Sequence, residues 1–590
     1  MSLVVISPAL IFPILAGNVY RGVNIGEWVD DAYYIVKGRE ILEGNSLGNI
    51  FLKIGKDSSS DPHQVYLEYV LLSPFKFSGF VEFAKENITS IYTFYSFLGV
   101  FLLVLSIYFL IYSFSENKLL SVSVALFTVG GYTLVKLSHA PVTAVVPGLN
   151  IFSRPIMPVY GLLILFLYIN ALVRSLDRTE LKYWILPSVL FGVLFYVYPY
   201  AWTFALAFTG SLVLLYLILR QYELFKKMFI VFFAGLMIGS FTIYKTLTFS
   251  KTEVGRQILY YGITLNRNPA PFSKISFAVL FLSILFLLLN KRNKYGPVFL
   301  SIVLASWLTL NQQVLTGKVP QIMHYYWYFT IPTSIVVGSY LLWKFANYQK
   351  QVSALLQKYG KWILGIIIVA AFIAATRQQY QGMMATWEIK EYGQNYRPII
   401  DYLKKEKKPG VVLTSEHYYG RFFSVYTGHD LFWGNNAFVF NTPYKRLEDA
   451  LFFYAYMDRN SRNNFVEQMR KIDEGFGLVG TTGENSYYPL IYSYIAGFRS
   501  GVDFDQYNIR VRLKDPKIVK SREETINYLF DNYKKAANPN GMAEILKRNE
   551  VNFIVWDKNK SPEWDLSPIL GNLALLTSEG NIYLYKVKSN

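Results

Sequence analysis

Through the first 378 residues, uncharged apolar runs alternate with short polar loops, and every second loop is basic. The basic loops are Arg174–Lys182, Arg220–Lys227, Lys291–Lys294 and Lys344–Lys361. A bilayer-crossing helix needs roughly 20 mostly apolar residues. Ile91–Phe114 meets that with no charge, and Pro155–Val173 and Tyr325–Trp343 are similar. Lysine and arginine mark cytoplasmic loops. The intervening loops, which carry the Tyr, Pro, His, Asn and acidic residues, are then expected together on the extracytoplasmic face.

Eleven spans are predicted, near 2–20, 91–114, 119–135, 156–173, 183–198, 200–219, 228–247, 274–290, 297–313, 326–345 and 362–378. Trp184–Leu219 holds no charge, yet basic loops flank it on both sides. A proline disfavours helix at the residue before it. A hairpin turning at Pro199, inside Tyr196-Val-Tyr-Pro-Tyr200, therefore keeps both flanking loops on one side. The parity gives a cytoplasmic N-terminus and an extracytoplasmic C-terminus in a multi-pass cell-membrane protein. Met1–Tyr20 has no basic residue ahead of it and no small-residue cleavage site, so it reads as the first span.

Charged residues make up only 17% of the chain against 53% apolar, where a soluble domain has roughly 25% charged. The net charge of +18 belongs largely to the cytoplasmic loops, whose natural partner is the anionic bilayer surface. No nucleic-acid-reading module accompanies it. The absence of cysteine excludes disulfides, thiolate metal sites and cysteine nucleophiles. There is no phosphate-binding P-loop, no H-E-x-x-H and no G-x-S-x-G.

Loop 21–90 is too long for a simple connection. Asp31–Leu42 has apolar residues near i, i+3, i+4 and i+7, the pattern of an amphipathic helix lying at the membrane interface. Val65–Pro74 is a second surface helix by the same reasoning. After residue 378 the apolar runs stop. Helices are predicted over Tyr396–Lys405 and Met542–Arg548, with strands over Gly410–Ser415, Val551–Trp556 and Asn581–Val587. The expected architecture is an α-helical polytopic membrane domain, 1–378, followed by an extracytoplasmic α/β domain, 379–590.

Four groups of residues on the outer loops carry chemistry. Asp30 and Asp31 follow the first span; either suits a general base near a membrane surface, with Asp30 slightly favoured because Asp31, nearer the helix start, better suits a cap on the following helix. Arg154, in Asn150-Ile-Phe-Ser-Arg154-Pro, stands at the mouth of a span, where it either binds an anion such as a lipid phosphate or snorkels to headgroups. His139 lies in the same loop. Lys318 and His324 flank a helix start after a Thr-Gly turn, a phosphate-accepting arrangement. Arg267 offers another cation. Tyr198, Tyr200, Tyr325 and Tyr326 are candidates to line a cavity.

This plan resembles the GT-C glycosyltransferases, multi-span enzymes that use polyprenyl-phosphate-linked sugars. The resemblance rests on a long first outer loop with amphipathic helices, on Asp30-Asp31 soon after the first span, and on a soluble C-terminal domain. It implies that Asp30 or Asp31 acts as catalytic base or positions the acceptor. The Trp-Trp-Asp motif of the oligosaccharyltransferase branch is missing, which disfavours that branch. The resulting expectation is an inverting transferase acting at the outer face. A polyprenyl-phosphate sugar is the donor, and a glycan, lipid or protein is the acceptor. Arg154, Lys318, Arg267 and His324 would hold the lipid phosphate. No cofactor is required and no protein metal ligand is identified, although two adjacent carboxylates are compatible with a divalent metal. The alternatives are a transporter or flippase of a lipid-linked or glycan substrate, and a non-catalytic envelope assembly protein. A transporter would carry charges near mid-span, and here the span centres are nearly free of them.

Overall fold

The computed structural model describes residues 1–25, 31–53, 56, 66–135, 148–252, 255–256, 263–265, 267–270, 273–290, 293–434, 437, 442–475, 488–502 and 504–588. Among the described residues, five helices are long and apolar enough to cross a membrane: Ser2–Val19, Ile88–Ser115, Pro199–Ile218, Tyr222–Phe249 and Lys350–Ala385. Shorter apolar helices at Lys118–Gly130, Val159–Ser175, Leu181–Leu194, Lys274–Leu289 and Gly296–Leu310 occupy five of the remaining expected runs. Ile331–Tyr348, entered through a π-helical turn at Tyr326–Thr330, occupies the last. Every expected run is thus helical, and among the described residues five are candidate spans by length and composition.

The chain breaks where Pro199 requires. One helix ends at Leu194, Tyr198 is extended, and Pro199 opens the next helix at a position where its missing N–H costs nothing. Phe195 stacks on Trp202 across the break, with ring centroids 4.9 Å apart.

Loops separated in sequence gather at two ends. At one end lie the basic loops: Lys294 pairs with Asp177, Lys227 donates to the Arg178 carbonyl at 3.3 Å, and Tyr216 donates to the Lys294 carbonyl at 3.0 Å. At the other end, the Tyr66 amide donates to the Tyr196 carbonyl at 3.2 Å. There too β1 (Ile263–Leu265) pairs antiparallel with β2 (Lys318–Pro320), joining two further loops.

The expected interfacial helix is corrected. Asp31–Glu43 is helical but buried on nearly every face. It is packed between the Ile88–Ser115 helix, the Leu67–Phe77 helix and the His417–Tyr426 helix of the C-terminal part. The domain boundary at 378 also falls inside an element. Lys350–Gly393 is one continuous helix of 44 residues, about 66 Å long at 1.5 Å per residue. It carries the chain out of the apolar layer without a linker.

Beyond it, β3 (Val411–Thr414), β4 (Asp430–Leu431), β5 (Val551–Asp557), β6 (Leu573–Glu579) and β7 (Ile582–Val587) form a five-stranded mixed sheet, ordered β4-β3-β5-β7-β6. β3 runs parallel to β4 and β5, and β7 runs antiparallel to β5 and β6. The strands expected at 411, 551 and 582 are present, and so are the helices, as Arg397–Lys404 and Pro539–Arg548. Between β4 and β5 the chain adds a helical layer that includes Tyr444–Met457 and Pro516–Ala536.

Candidate functional site

The long loop after the first helix is not a free excursion. The Phe51 carbonyl accepts from the Leu431 amide at 2.7 Å, so the loop adds to the edge of β4. Lys56 bridges Glu40 at 3.0 Å and Asp430 at 2.7 Å. Lys37 and Glu68 form an ion pair at 3.0 Å whose side chains are 1% and 0% exposed. These contacts fix the Asp31–Glu43 helix between the membrane helices and the C-terminal sheet. Burial pushes the Glu40 carboxyl up to about 7, against the attraction of Lys56. Burial also raises Asp430.

Fixing that helix positions its first residue. Asp31 is 1% exposed and begins the helix, so it occupies the first turn rather than the cap position. Carboxylates are favoured there by the helix dipole. Asp31 lines a cavity of about 50 Å³ shared with Asn24, Thr93, Ser96, Ser153 and Pro155 and walled on one side by Val5 and Ile6 of the first helix. Asp30 and His139 lie outside the described residues.

Arg154 sits between two residues of that cavity wall. Asn150 makes the local turn, accepting from the Phe152 amide at 2.9 Å while its own side chain donates to Val129 O at 2.9 Å. Arg154 is 8% exposed; its guanidinium lies 5.7 Å from the centroid of the Tyr34 ring and reaches the Tyr328 hydroxyl at 3.4 Å. Tyr34 is one turn along the helix from Asp31. Asp31 thus shares its cavity with the two chain neighbours of Arg154, Ser153 and Pro155, while the guanidinium packs on the aromatic ring one turn along the same helix.

Behind Arg154 is an aromatic cluster. The Tyr198 hydroxyl lies 2.5 Å from His324 Nδ1, and the Tyr200 ring stacks on His324 at 4.5 Å. The Tyr325 hydroxyl meets Thr203 at 2.6 Å, and the rings of Tyr200 and Tyr325 meet edge-on at 5.1 Å. Burial, and then the nearby charge of Arg154, hold His324 well below the ordinary imidazole range. His324 is therefore neutral. With Nδ1 accepting from Tyr198, the proton is assigned to Nε2. The imidazole is a hydrogen-bond donor here and not the second positive charge that a His-Lys pair suggests.

Two expected cations stand apart from this cluster. Arg267 is exposed and donates to the carbonyls of Val314 and Leu315, both at 3.0 Å. It thereby satisfies the end of the Gln312–Thr316 helix. Lys318 is exposed on β2, opposite Leu265. Tyr326 is buried against Trp327, with centroids 5.1 Å apart. Sequence reasoning missed Asn24, Lys37, Glu68, Glu40 and Lys56. A lysine and a glutamate on the inward stripe of a helix taken as amphipathic were the available signal. Among the described residues no group of three or more His, Asp or Glu is placed to hold a metal.

No family model and no curated protein matches the chain. Among solved structures it is similar to the archaeal oligosaccharyltransferase AglB from Archaeoglobus fulgidus in complex with an inhibitory peptide and a dolichol-phosphate. Identity is 12% and the TM-score 0.40, over 98% of this chain and 73% of that one. It is also similar to the Archaeoglobus fulgidus oligosaccharyltransferase tethered to an acceptor peptide, at 11% identity and TM-score 0.42, over 100% and 74% of the two chains. The complex of that enzyme with Zn and sulfate gives 10% identity and TM-score 0.43, over 98% and 72%. Likeness at this level defines neither substrate nor mechanism.

Proposed function

We propose that this chain is a multi-pass membrane glycosyltransferase that moves a sugar from a polyprenyl-phosphate donor to an acceptor hydroxyl, with inversion. The reaction takes place at the extracytoplasmic face, where the first outer loop and the C-terminal domain meet the helix ends, and all eleven apolar helices belong to the membrane domain. The observation that supports this reading is the cavity that Asp31 lines together with Ser153 and Pro155, the two chain neighbours of Arg154, whose guanidinium lies 5.7 Å from the ring of Tyr34, one turn along the helix from Asp31.

Asp31 orients the acceptor hydroxyl and takes its proton as the oxygen attacks the anomeric carbon. The bond to the lipid phosphate breaks on the opposite side of the sugar. Arg154 and the Nε2–H of His324 receive the departing phosphate; fixed charges and donors of this kind usually supply the largest part of catalysis. Tyr198, Tyr200 and Tyr325 hold His324 and Arg154 in place. A lipid-monophosphate leaving group requires no metal. Lys318 and Arg267, exposed on the neighbouring ribbon, lie where they attract the anionic donor rather than where they bind the reacting phosphate.

The test is incubation of the purified protein with a panel of polyprenyl-phosphate sugars. Release of free polyprenyl phosphate, together with a product of inverted anomeric configuration, is the expected result. No release from any member of the panel would overturn the reading.

A further inference from the structure

The Tyr444–Met457 helix of the C-terminal part begins without a side-chain cap: Pro443 holds the cap position, and no acidic residue stands in the first turn. A helix start of this kind presents amide N–H groups without intrahelical partners and the positive end of the helix dipole. Arg446 stands in that first turn and is 3% exposed. Its Nη2 donates to the Phe432 carbonyl, just past β4, and its guanidinium lies 4.0 Å from the centroid of the Phe432 ring. Its Nε and Nη1 are buried and have no hydrogen-bond partner among the described residues. Helical side chains lean toward the N-terminus, which carries this guanidinium to the same end as the free amides.

The acids nearby are already engaged. Asp449 accepts from Arg548, through Nε at 2.6 Å and through Nη2, and from Asn549 at 3.0 Å; Lys445 lies 3.6 Å from it. Glu448 accepts from the Tyr528 hydroxyl at 2.8 Å and from Lys445 at 3.4 Å. Arg499 is exposed and rests on the Tyr528 ring, 4.1 Å from its centroid. The remaining neighbours are aromatic: Phe453 and Tyr454 pack on Phe432 with centroids 5.7 and 5.9 Å away. Burial lowers the Arg446 guanidinium to about 9, against the pull of Asp449, while Arg548 adds repulsion. The group stays charged at neutral pH.

A buried charge is strongly disfavoured unless it is paired. The planar N–H groups of a guanidinium match the two coplanar oxygens of a carboxylate, and a helix start accepts the same anion. One guanidinium is balanced by one negative charge. Phosphate, largely a dianion near pH 7.5, would leave a surplus charge in the same dry surroundings. With Arg446 3% exposed, only a small group fits.

We propose that the junction between the end of β4 and the start of the Tyr444–Met457 helix binds a small carboxylate monoanion, with Arg446 as its counter-charge. The site belongs to the C-terminal part and is tested without turnover.

The readout is amide hydrogen exchange of the Tyr444–Met457 helix in the full-length, detergent-solubilised protein, with acetate, chloride and inorganic phosphate compared at equal ionic strength. Acetate should slow exchange roughly threefold or more relative to chloride, as expected for a ligand at about twice its dissociation constant. Arg446→Gln, which keeps a donor for the Phe432 carbonyl but loses the charge, should abolish the difference. Should Arg446→Gln fold poorly by its thermal midpoint, Arg446→Lys decides: it keeps the charge without the planar donors and should lose most of the acetate effect. Equal exchange in acetate and chloride, slowing by phosphate as large as that by acetate, or an acetate effect that persists undiminished in the folded variant would each overturn the proposal.

Discussion

Lys37 and Glu68 form a deeply buried ion pair that joins the Asp31–Glu43 and Leu67–Phe77 helices, with side chains 1% and 0% exposed at 3.0 Å. Removing Glu68 alone leaves an ammonium group in a region with almost no access to water. Breaking such a pair on one side typically costs about 3–5 kcal/mol, because the surviving charge is desolvated without compensation. Replacing both partners with apolar residues of similar volume is usually neutral or stabilising. Glu68→Leu and Lys37→Met as single variants should therefore each lower the thermal midpoint of the detergent-solubilised protein clearly. The Lys37→Met/Glu68→Leu double variant should return to the wild-type midpoint or exceed it. The midpoint is read by near-ultraviolet circular dichroism, with gel filtration to confirm dispersity. Additive losses in the double variant, with no recovery, would show that the two side chains do not act as a pair and that the Asp31–Glu43 helix is held by other means.

Arg154→Ala should slow lipid-phosphate release by more than about tenfold, roughly 1.4 kcal/mol of transition-state stabilisation; unchanged kinetics would leave Arg154 as a packing residue among Tyr34 and Tyr328. The Glu40 carboxyl, raised by burial to about 7 from an ordinary 4.5, holds a proton in the folded state that the unfolded chain has already released. Its contribution to stability is therefore complete below the ordinary carboxylate range and is lost as pH rises through about 7. Thermal midpoints measured at intervals from about pH 5 to pH 8 should fall with pH, and Glu40→Gln should flatten that fall; a midpoint that rises over the same window would refute the sign. Cysteines at Phe80 and Asn293 should be labelled from opposite sides of sealed vesicles, the first from the extracytoplasmic side and the second from the cytoplasmic side. Labelling of both from one side would break the topology.

The membrane half was largely legible because hydropathy is a local property. Each apolar run became a helix, and the break before Pro199 followed from proline's missing N–H. What sequence could not give was the partner of a polar side chain. Lys37 and Glu40 fall in a stretch whose apolar periodicity reads as an interfacial helix, which assigns them no partner. Glu68 pairs with Lys37, Lys56 pairs with Glu40, and Lys56 reaches on to Asp430 in the C-terminal part; only the fold brings these groups together. The 350–393 helix shows the converse limit. Hydropathy ends near residue 378, but nothing in the following Gln, Tyr and Met residues stops a helix, and it runs on to Gly393. The acidic motif and Arg154 were legible as candidates. The cavity that Asp31 lines with the neighbours of Arg154, and the neutral state of His324, depended on packing.

The central claim, that Asp31 is the base of a sugar-transfer reaction, is tested most directly by Asp31→Asn. Asparagine keeps the size and the hydrogen-bonding oxygen but cannot take the proton. The thermal midpoint should stay near wild type, and turnover of the polyprenyl-phosphate sugar should fall by about 10²–10⁴-fold, the usual contribution of general-base catalysis. Wild-type turnover in a well-folded Asp31→Asn protein would contradict the account.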